Sequence, residues 1–172
     1  AIHDGGMSAR ARDMARFGQL ILNDGLAGDR PVLSKQWITH ARTIDPDIRN
    51  AFTESDSEPF LTGGWYRSQF WFMPGVLGDL QVCLGIHGQM VVVDRSTRTV
   101  SVKLSTWPDA QNPTFLLDTV RAFVAAGQHA AGFVTASATG APHLTGPIGI
   151  TRGHQHAGPV GIVEGRERGK SS

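Results

Sequence analysis

Residues 80–105 decide the fold, and they read LQVCLGIHGQMVVVDRSTRTVSVKLS. Three runs in this stretch alternate or cluster apolar residues as β-strands do, namely Leu80–Leu84, Gln89–Asp94 and Thr99–Ser105. Residues 94–98 separate the last two runs and predict a turn, so these two strands form an antiparallel hairpin. The stretch therefore predicts a sheet whose strands are neighbours along the chain.

An aromatic run extends this sheet upstream, and a helix covers it downstream. Trp65–Met73 reads as one further strand, which predicts an antiparallel meander of three or four strands. Asn112-Pro113-Thr114 begin the final helix, whose apolar face we expect to cover the sheet. The residues of that face are Phe115, Leu116, Val120, Phe123 and Val124.

Two helices are predicted before the sheet. Residues 8–24 carry an apolar stripe at helical spacing, and Ser8 is the expected N-cap. Asn23-Asp24-Gly25 supply the signal that ends this helix. Ser34 is the expected N-cap of a second, shorter helix that continues through about Arg42.

The segment from residue 44 to residue 62 is predicted to be a loop. It is polar and acidic, contains two prolines and shows no periodicity. Its length exceeds what a plain connector needs. Two interpretations stay open: the loop borders a binding site, or it is a solvated excursion at the surface.

Composition divides the chain into two parts. Residues 127–172 hold ten glycines and three prolines and show no hydrophobic period, which is typical of a disordered tail. Residues 1–126 are therefore expected to form the folded portion, and residues 127–172 a Gly-rich tail.

Bulk composition argues against several classes of protein. The net charge of +1 gives no reason to expect a nucleic-acid partner, and no apolar run approaches the roughly 18 residues of a membrane span. Cys83 is the single cysteine, so it cannot form an internal disulfide, and its strand context favours a buried thiol. His129, His143 and His154-Gln155-His156 lack the spacing of a metal site, so no metal is expected.

Three patches of the sequence resemble a known family. They are GGMSARARDMARFG at residues 5–18 with LNDG at 22–25, GWYRSQFWF at 64–72, and GIHGQ at 85–89. In this order, over about residues 3–126, they are similar to the serine β-lactamase-related hydrolases. That family includes class C β-lactamases, penicillin-binding-protein-like esterases and 6-aminohexanoate-dimer hydrolases, and the third patch looks most like the last branch.

The resemblance implies an α+β fold. It corresponds to the C-terminal part of a β-lactamase/transpeptidase-like domain, with antiparallel strands, flanking helices and the N-terminal half missing. Arg10 departs from the family pattern, in which a helix-capping Thr or Ser often stands at this point, and this departure predicts a shifted first turn.

The resemblance also implies a nucleophile that these residues lack. In the family the nucleophilic serine lies in a Ser-x-x-Lys motif and works with a Lys and a Tyr that move protons. No serine precedes Lys35, Lys103 or Lys170 by three residues, and the one tyrosine, Tyr66, lies in the aromatic strand. We therefore expect the chain to be inactive alone, with the missing N-terminal half of the same protein as its partner.

The third patch is the part of the family's active site that the chain does contain. Alignment of the motif places Ile86 at the family's Lys position, His87 at its Thr position and Gly88 at its Gly position. Gly88 would let substrate approach the backbone, and the N–H of Gln89 is the candidate second oxyanion donor. His87 would donate a hydrogen bond to the substrate or to the Lys–Tyr pair; the alternative is a purely structural histidine.

Three aromatic residues are candidates for lining the substrate pocket: Trp65, Tyr66 and Trp71. The alternative is that they belong to the core, as aromatic residues in strands often do. The serine mechanism of the family uses no cofactor, so none is expected.

The function implied by the resemblance is hydrolysis of a small amide, ester or β-lactam through an acyl-enzyme. Two alternatives stay open: a non-catalytic ligand-binding or interaction domain, and one half of a two-chain enzyme. The sequence does not decide the leaving group or the oligomeric state. It also leaves the location open between the bacterial cytoplasm and the periplasm or exterior.

Overall fold

A five-stranded antiparallel sheet forms the centre of the structure, a computed structural model that describes residues 8–73 and 79–138. In chain order the elements are α1 (Ala11–Leu22), β1 (Leu26–Ala27), β2 (Arg30–Pro31), α2 (Lys35–Arg42), α3 (Pro46–Thr53), β3 (Trp65–Arg67), β4 (Phe70–Met73), β5 (Leu80–Leu84), β6 (Met90–Asp94), β7 (Thr99–Lys103) and α4 (Pro113–Ala138). The sheet has the order β3-β4-β5-β6-β7, while β1 and β2 form a separate two-stranded hairpin.

The predicted antiparallel meander is confirmed, but the prediction of three or four strands is wrong, since the sheet has five. Trp65–Met73 forms two strands, because Ser68 and Gln69 both adopt positive φ angles, of 52° and 68°, and turn the chain back. Two such residues in a row make the tight turn that suits a twisted hairpin. The continuous aromatic run concealed this turn, since neither residue is a glycine or an asparagine.

Helices cover both faces of the sheet. One core lies beneath α1 and α2 and includes Ile21, Ile38, Phe72 and Val93. The other lies beneath α3 and α4; its buried members are Phe52, Leu61, Met73, Leu80, Val82, Met90, Val92, Val120, Phe123 and Val124. Because β6 is sandwiched between the two layers, all five of its residues are buried.

Helix α1 lies against β6 and β7. It begins at Ala11 with Arg10 at the N-cap position, so the prediction of Ser8 as N-cap is wrong and the first turn is shifted, as the departure at Arg10 suggested. A Cβ on Gly18 would lie 2.5 Å from a methyl carbon of Val100. The absence of a side chain at this position therefore permits the close packing of helix and sheet.

Helix α2 has the predicted cap, and α3 was not predicted. The Ser34 hydroxyl accepts a hydrogen bond from the N–H of Trp37 at 3.0 Å. Within the segment 44–62, Asp45 caps α3 by accepting from the N–H of Ile48 at 3.0 Å. Pro46 at the first turn favours helix initiation, and Phe52 anchors the helix in the core. The prediction of a loop is therefore wrong for Pro46–Thr53.

The remainder of that segment is held by an ion pair. Arg49 donates two hydrogen bonds to the carboxylate of Glu58, at 2.6 and 2.7 Å, and a third to the carbonyl of Gly64 at 3.0 Å. The hydrogen bonds from Arg49 lower the pKa of Glu58. This pairing fixes the irregular chain that leads into β3.

Helix α4 begins where the sequence predicts and ends later. Asn112 caps it by accepting from the N–H of Phe115 at 3.0 Å. The helix then continues to Ala138, so the first part of the expected tail is helical. Gly127, within this helix, is buried. A Cβ at this position would lie only 2.7 Å from the Thr99 hydroxyl oxygen, so the helix packs closely against β7 here. The tail remains a prediction for residues 139–172, which lie outside the described residues.

Candidate functional site

The predicted motif forms a tight turn between β5 and β6. Gly85 donates its N–H to the carbonyl of Gln89 at 2.9 Å, and Ile86–Gly88 form one 3₁₀ turn. The N–H of Gln89 faces the carbonyl of Ile86 at 3.4 Å, which is long for a hydrogen bond. The motif is therefore a compact loop at one end of the central sheet.

His87 lies in this turn with a left-handed backbone conformation. Its φ is 56° and its ψ is 25°, a region that costs energy for residues other than glycine. Its N–H donates to the carbonyl of Ala110 at 2.8 Å, and its carbonyl accepts from the N–H of Trp107 at 3.1 Å. Its ring Nδ1 lies 2.9 Å from the Trp107 carbonyl oxygen. Three hydrogen bonds thus hold a strained residue in place.

Gly88 is buried against the indole of Trp107. Its φ is +80°, and a Cβ built at this position would lie well inside van der Waals contact with the indole ring. Glycine is therefore required here for two reasons, namely the backbone conformation and the space.

The side chain of Gln89 completes the attachment of the loop. Its amide nitrogen donates to the carbonyl of Ser105, and its amide oxygen accepts from the N–H of Ser105 at 3.1 Å. The side-chain amide thereby continues the pairing between β6 and β7 beyond its last backbone pair, Met90 with Lys103. The loop is joined to residues 105–110 along most of its length.

Trp107 is itself held by two side chains. The ammonium of Lys103 lies 4.1 Å from the centre of the indole, and the ring of Phe115 packs edge-on with its centre 5.6 Å away. Lys103 also donates to the hydroxyl of Thr119 in α4 at 3.2 Å. Burial lowers the pKa of Lys103. These contacts fix the indole between the loop and α4.

The structure thus brings His87, Gly88 and Gln89 together on one loop, with Ile86 beside them and 62% exposed. Their roles toward a substrate stay predictions. Sequence reasoning missed Trp107 and Ser105, which hold these residues in position. A tryptophan within the polar stretch that follows β7 was the available signal, because an isolated aromatic residue in irregular chain often packs against a nearby element.

The three predicted pocket residues lie on opposite faces of the sheet. Trp65 stacks on Phe72, with ring centres 4.9 Å apart, on the face covered by α1 and α2. Tyr66 and Trp71 lie 4.8 Å apart on the other face. Within the described part of the chain, no hydrogen bond or ring contact joins any of them to the loop. A pocket formed by all three residues is therefore not what the structure shows.

Two shallow grooves of the described residues lie away from the loop. One, of about 290 Å³, lies beside α2 and is lined by Asp24, Ile38, Thr39, Arg42, Thr43 and Trp65. The other, of about 410 Å³, lies between α1 and β7 and is lined by Arg12, Ala15, Arg16, Gln19, Leu22, Arg98 and Val100. The loop lines neither of these two grooves.

The described residues contain no group of three His, Cys, Asp or Glu side chains arranged to hold a metal ion. His143 and the pair His154 and His156 lie outside them. Among the helices in the described ranges, none combines the length and apolar character needed to cross a membrane.

The described residues form an α+β structure, in agreement with the partial β-lactamase-like fold that the resemblance implies. No protein-family model matches the chain. The chain is 36% identical over 106 residues to the 6-aminohexanoate-dimer hydrolase of Paenarthrobacter ureafaciens, a match that covers 62% of this chain and 26% of the relative. This finding confirms the predicted family resemblance.

A solved structure agrees with the predicted fold class. The protein is from Bacillus anthracis and is provisionally assigned as a 6-aminohexanoate-dimer hydrolase. It superposes with a TM-score of 0.51 at 21% identity, covering 77% of this chain and 30% of that protein. The chain thus spans between a quarter and a third of the length of these two proteins.

Proposed function

We propose that this chain forms one wall of the active site of a serine hydrolase. The proposed reaction is cleavage of the amide bond of a small linear substrate, such as 6-aminohexanoate dimer, through an acyl-enzyme. The nucleophilic serine and its Lys–Tyr pair would come from outside these 172 residues, because no Ser-x-x-Lys occurs in them. By themselves the 172 residues are proposed to be inactive.

The observation that carries this proposal is the construction of the Gly85–Gln89 loop. The left-handed His87 is held by hydrogen bonds to Trp107 and Ala110, and Gly88 packs against the Trp107 indole without space for a side chain. Strained residues that are fixed by their surroundings are concentrated at functional sites. The relation to a 6-aminohexanoate-dimer hydrolase supplies the type of reaction.

The residues of the loop have distinct proposed roles. Gly88 is proposed to set the path of the loop, because the Trp107 indole fills the space on its Cβ side, and the N–H of Gln89 is proposed to stabilise the developing oxyanion. The N–H of Gln89 lies 3.4 Å from the Ile86 carbonyl oxygen, so its hydrogen bond within the loop is weak. Replacing this carbonyl with the oxyanion as the acceptor should therefore cost little free energy. Oxyanion donors of this kind contribute roughly 3 kcal/mol to transition-state stabilisation.

The proposal is tested first on the DNA upstream of the Ala1 codon and then on its longest product. We expect an open reading frame with a Ser-x-x-Lys motif. The purified product is expected to hydrolyse 6-aminohexanoate dimer and to be labelled by a serine-directed fluorophosphonate. His87→Ala is expected to lower kcat/KM by roughly 10- to 100-fold, which corresponds to one lost hydrogen bond.

His129→Ala is the matched control, since His129 lies on the exposed side of α4 and should leave kcat/KM unchanged. Turnover by the 172-residue chain alone would overturn the assignment of the nucleophile to residues outside it. An upstream sequence without the motif, together with a product that the fluorophosphonate does not label, would instead favour a non-catalytic interaction domain.

A further inference from the structure

Residues 105–110 clamp the candidate loop from outside the motif. Trp107 and Ala110 make the backbone hydrogen bonds to His87, while Ser105 pairs with the side-chain amide of Gln89. The indole of Trp107 lies against Gly88. Contacts from one segment therefore reach His87, Gly88 and Gln89 in turn.

The contact between His87 and Trp107 determines where the histidine proton lies. A backbone carbonyl can only accept a hydrogen bond, so Nδ1 at 2.9 Å from the Trp107 oxygen must carry a proton. In the neutral ring, Nε2 then has a lone pair and no proton. Among the described residues Nε2 has no hydrogen-bond partner, and the side chain is half-buried. It is available as an acceptor at the loop surface.

We infer that Trp107 is a positioning residue that fixes His87 in the Nδ1–H tautomer, so that Nε2 accepts a hydrogen bond from an N–H group of the substrate. This inference deepens the proposed function, and its statement about substrate rests on that function. It reverses the expectation that His87 donates a hydrogen bond. In a linear aminohexanoate amide, the N–H donors are the amide group and the terminal ammonium.

The tautomer can be measured on the 172-residue chain without any turnover. Two-bond ¹H–¹⁵N correlation spectra at a pH where the ring is neutral distinguish a pyrrole-type from a pyridine-type nitrogen. The difference from a His87→Gln variant identifies the His87 signals among the seven histidines. We expect a pyrrole-type Nδ1 and a pyridine-type Nε2. The reverse pattern would overturn the inference.

Trp107→Ala tests the positioning role, with Trp37→Ala as the matched control. Trp37 is also a partly exposed tryptophan packed edge-on against a phenylalanine, Phe70, but it lies on α2. Trp107→Ala keeps the backbone carbonyl that accepts from His87 Nδ1 but removes the indole that packs against Gly88. Without the indole the carbonyl should lose its fixed position, and the two His87 nitrogen signals are expected to move towards their average, whereas Trp37→Ala leaves them unchanged. An unchanged His87 signature in a folded Trp107→Ala protein would exclude the indole as the group that holds this carbonyl in position. Trp107→Phe serves if the alanine variant does not fold, and a smaller change in the same direction is expected.

Substrate analogues separate this inference from the proposed function in the active enzyme. Replacing the scissile amide with the matching ester removes its N–H, and replacing the terminal ammonium with a methyl group removes the donors at that end. If Nε2 accepts from the amide, the loss of kcat/KM caused by His87→Ala should be about tenfold larger for the amide substrate than for the ester. If it accepts from the ammonium, the substrate in which a methyl group replaces the ammonium should instead be insensitive to His87→Ala. Equal losses on all three substrates would refute the acceptor role while leaving the hydrolase intact.

Discussion

Two turns lie at the same end of the central sheet, and they are held in different ways. The turn between β3 and β4 consists of Ser68 and Gln69. Among the described residues its one side-chain hydrogen bond is local, from the Tyr66 hydroxyl to the Gln69 amide oxygen at 3.0 Å. The loop between β5 and β6 also contains two residues with positive φ, His87 and Gly88. It is held by a segment about twenty residues further along the chain.

This difference separates a turn that only reverses the chain from a turn that is positioned. A hairpin turn needs only a backbone twist that matches its strands. The second loop has hydrogen bonds and packing beyond what a chain reversal requires, and these contacts fix the direction of a histidine ring. Substitutions should therefore have larger effects in the second loop than matched substitutions elsewhere.

The largest effect is expected at Gly88. Gly63 provides a matched control, because its φ is +79° beside +80° at Gly88 and no atom lies within 4 Å of its Cβ position. Gly63→Ala should cost about 1 kcal/mol of unfolding free energy for the backbone alone. Gly88→Ala should cost about 3 kcal/mol, since overpacking against the indole adds to the same backbone strain.

Urea unfolding of the two variants measures this difference. The double variant Gly88→Ala with Trp107→Ala relieves the contact and retains the strain, so the two substitutions together should cost less than the sum of their separate effects. Equal costs for Gly63→Ala and Gly88→Ala would show that the indole does not restrict the loop.

The next effect is expected at the two glutamines. Gln89→Ala removes both side-chain hydrogen bonds to Ser105. The partly buried N–H and carbonyl of Ser105 are then unpaired, which should lower the free energy of unfolding by about 2 kcal/mol. Gln69→Ala removes one exposed hydrogen bond and should stay within about 0.5 kcal/mol of the parent chain. Thermal unfolding followed by circular dichroism compares the two. Similar midpoints would contradict the proposed attachment of the loop.

The sequence predicted those parts of the fold that depend on local signals. Strand β7 alternates with a period of two, and β6 is a short apolar run of the kind that forms a strand buried on both faces. Ser34 and Asn112 lie directly before the helices that they cap. Helix α3 also had local signals, in Asp45 followed by Pro46. The acidic composition of its surroundings outweighed them, although Ile48 and Phe52 lie four residues apart as a helix face requires.

The attachment of the loop could not be predicted in the same way. The motif identified His87, Gly88 and Gln89, but the contact between His87 and Trp107 exists only once the chain has formed β6 and β7 and returned to the same end of the sheet. Similarly, the alternation in the aromatic run did not show that Trp65 and Trp71 lie on opposite faces, because that depends on the turn between them.

A smaller effect is expected from Cys83, two residues before the loop. Burial raises the pKa of its thiol from 9.0 to about 11. The unfolded chain therefore loses this proton first, and the stability of the folded state declines as pH rises from about 9 towards 11. By pH 10, one unit above the ordinary pKa of the thiol, the loss should reach about 1.4 kcal/mol.

Cys83→Ala isolates this effect, since other groups also titrate in that range and are common to both proteins. The difference in unfolding free energy between parent and variant should shrink or change sign between pH 8 and pH 10. Slow reaction of the native thiol with iodoacetamide is the companion result. A constant difference would indicate that the strand leading into the loop is open to water.

The smallest effect is expected when the residue with positive φ in each turn is replaced by glycine. The substitution should stabilise the protein in the turn between β3 and β4 but not in the loop between β5 and β6. Gln69→Gly relieves a positive φ of 68° at the cost of a more flexible unfolded chain, and should stabilise the protein by about 0.5 kcal/mol. His87→Gly relieves a similar angle but loses the ring hydrogen bond to Trp107, so it should be neutral or destabilising by about 1 kcal/mol. Denaturant midpoints of both variants compare the same substitution in the two turns. A gain at both positions would mean that the ring of His87 contributes nothing to the loop, and that the distinction between the turns lies in the backbone alone.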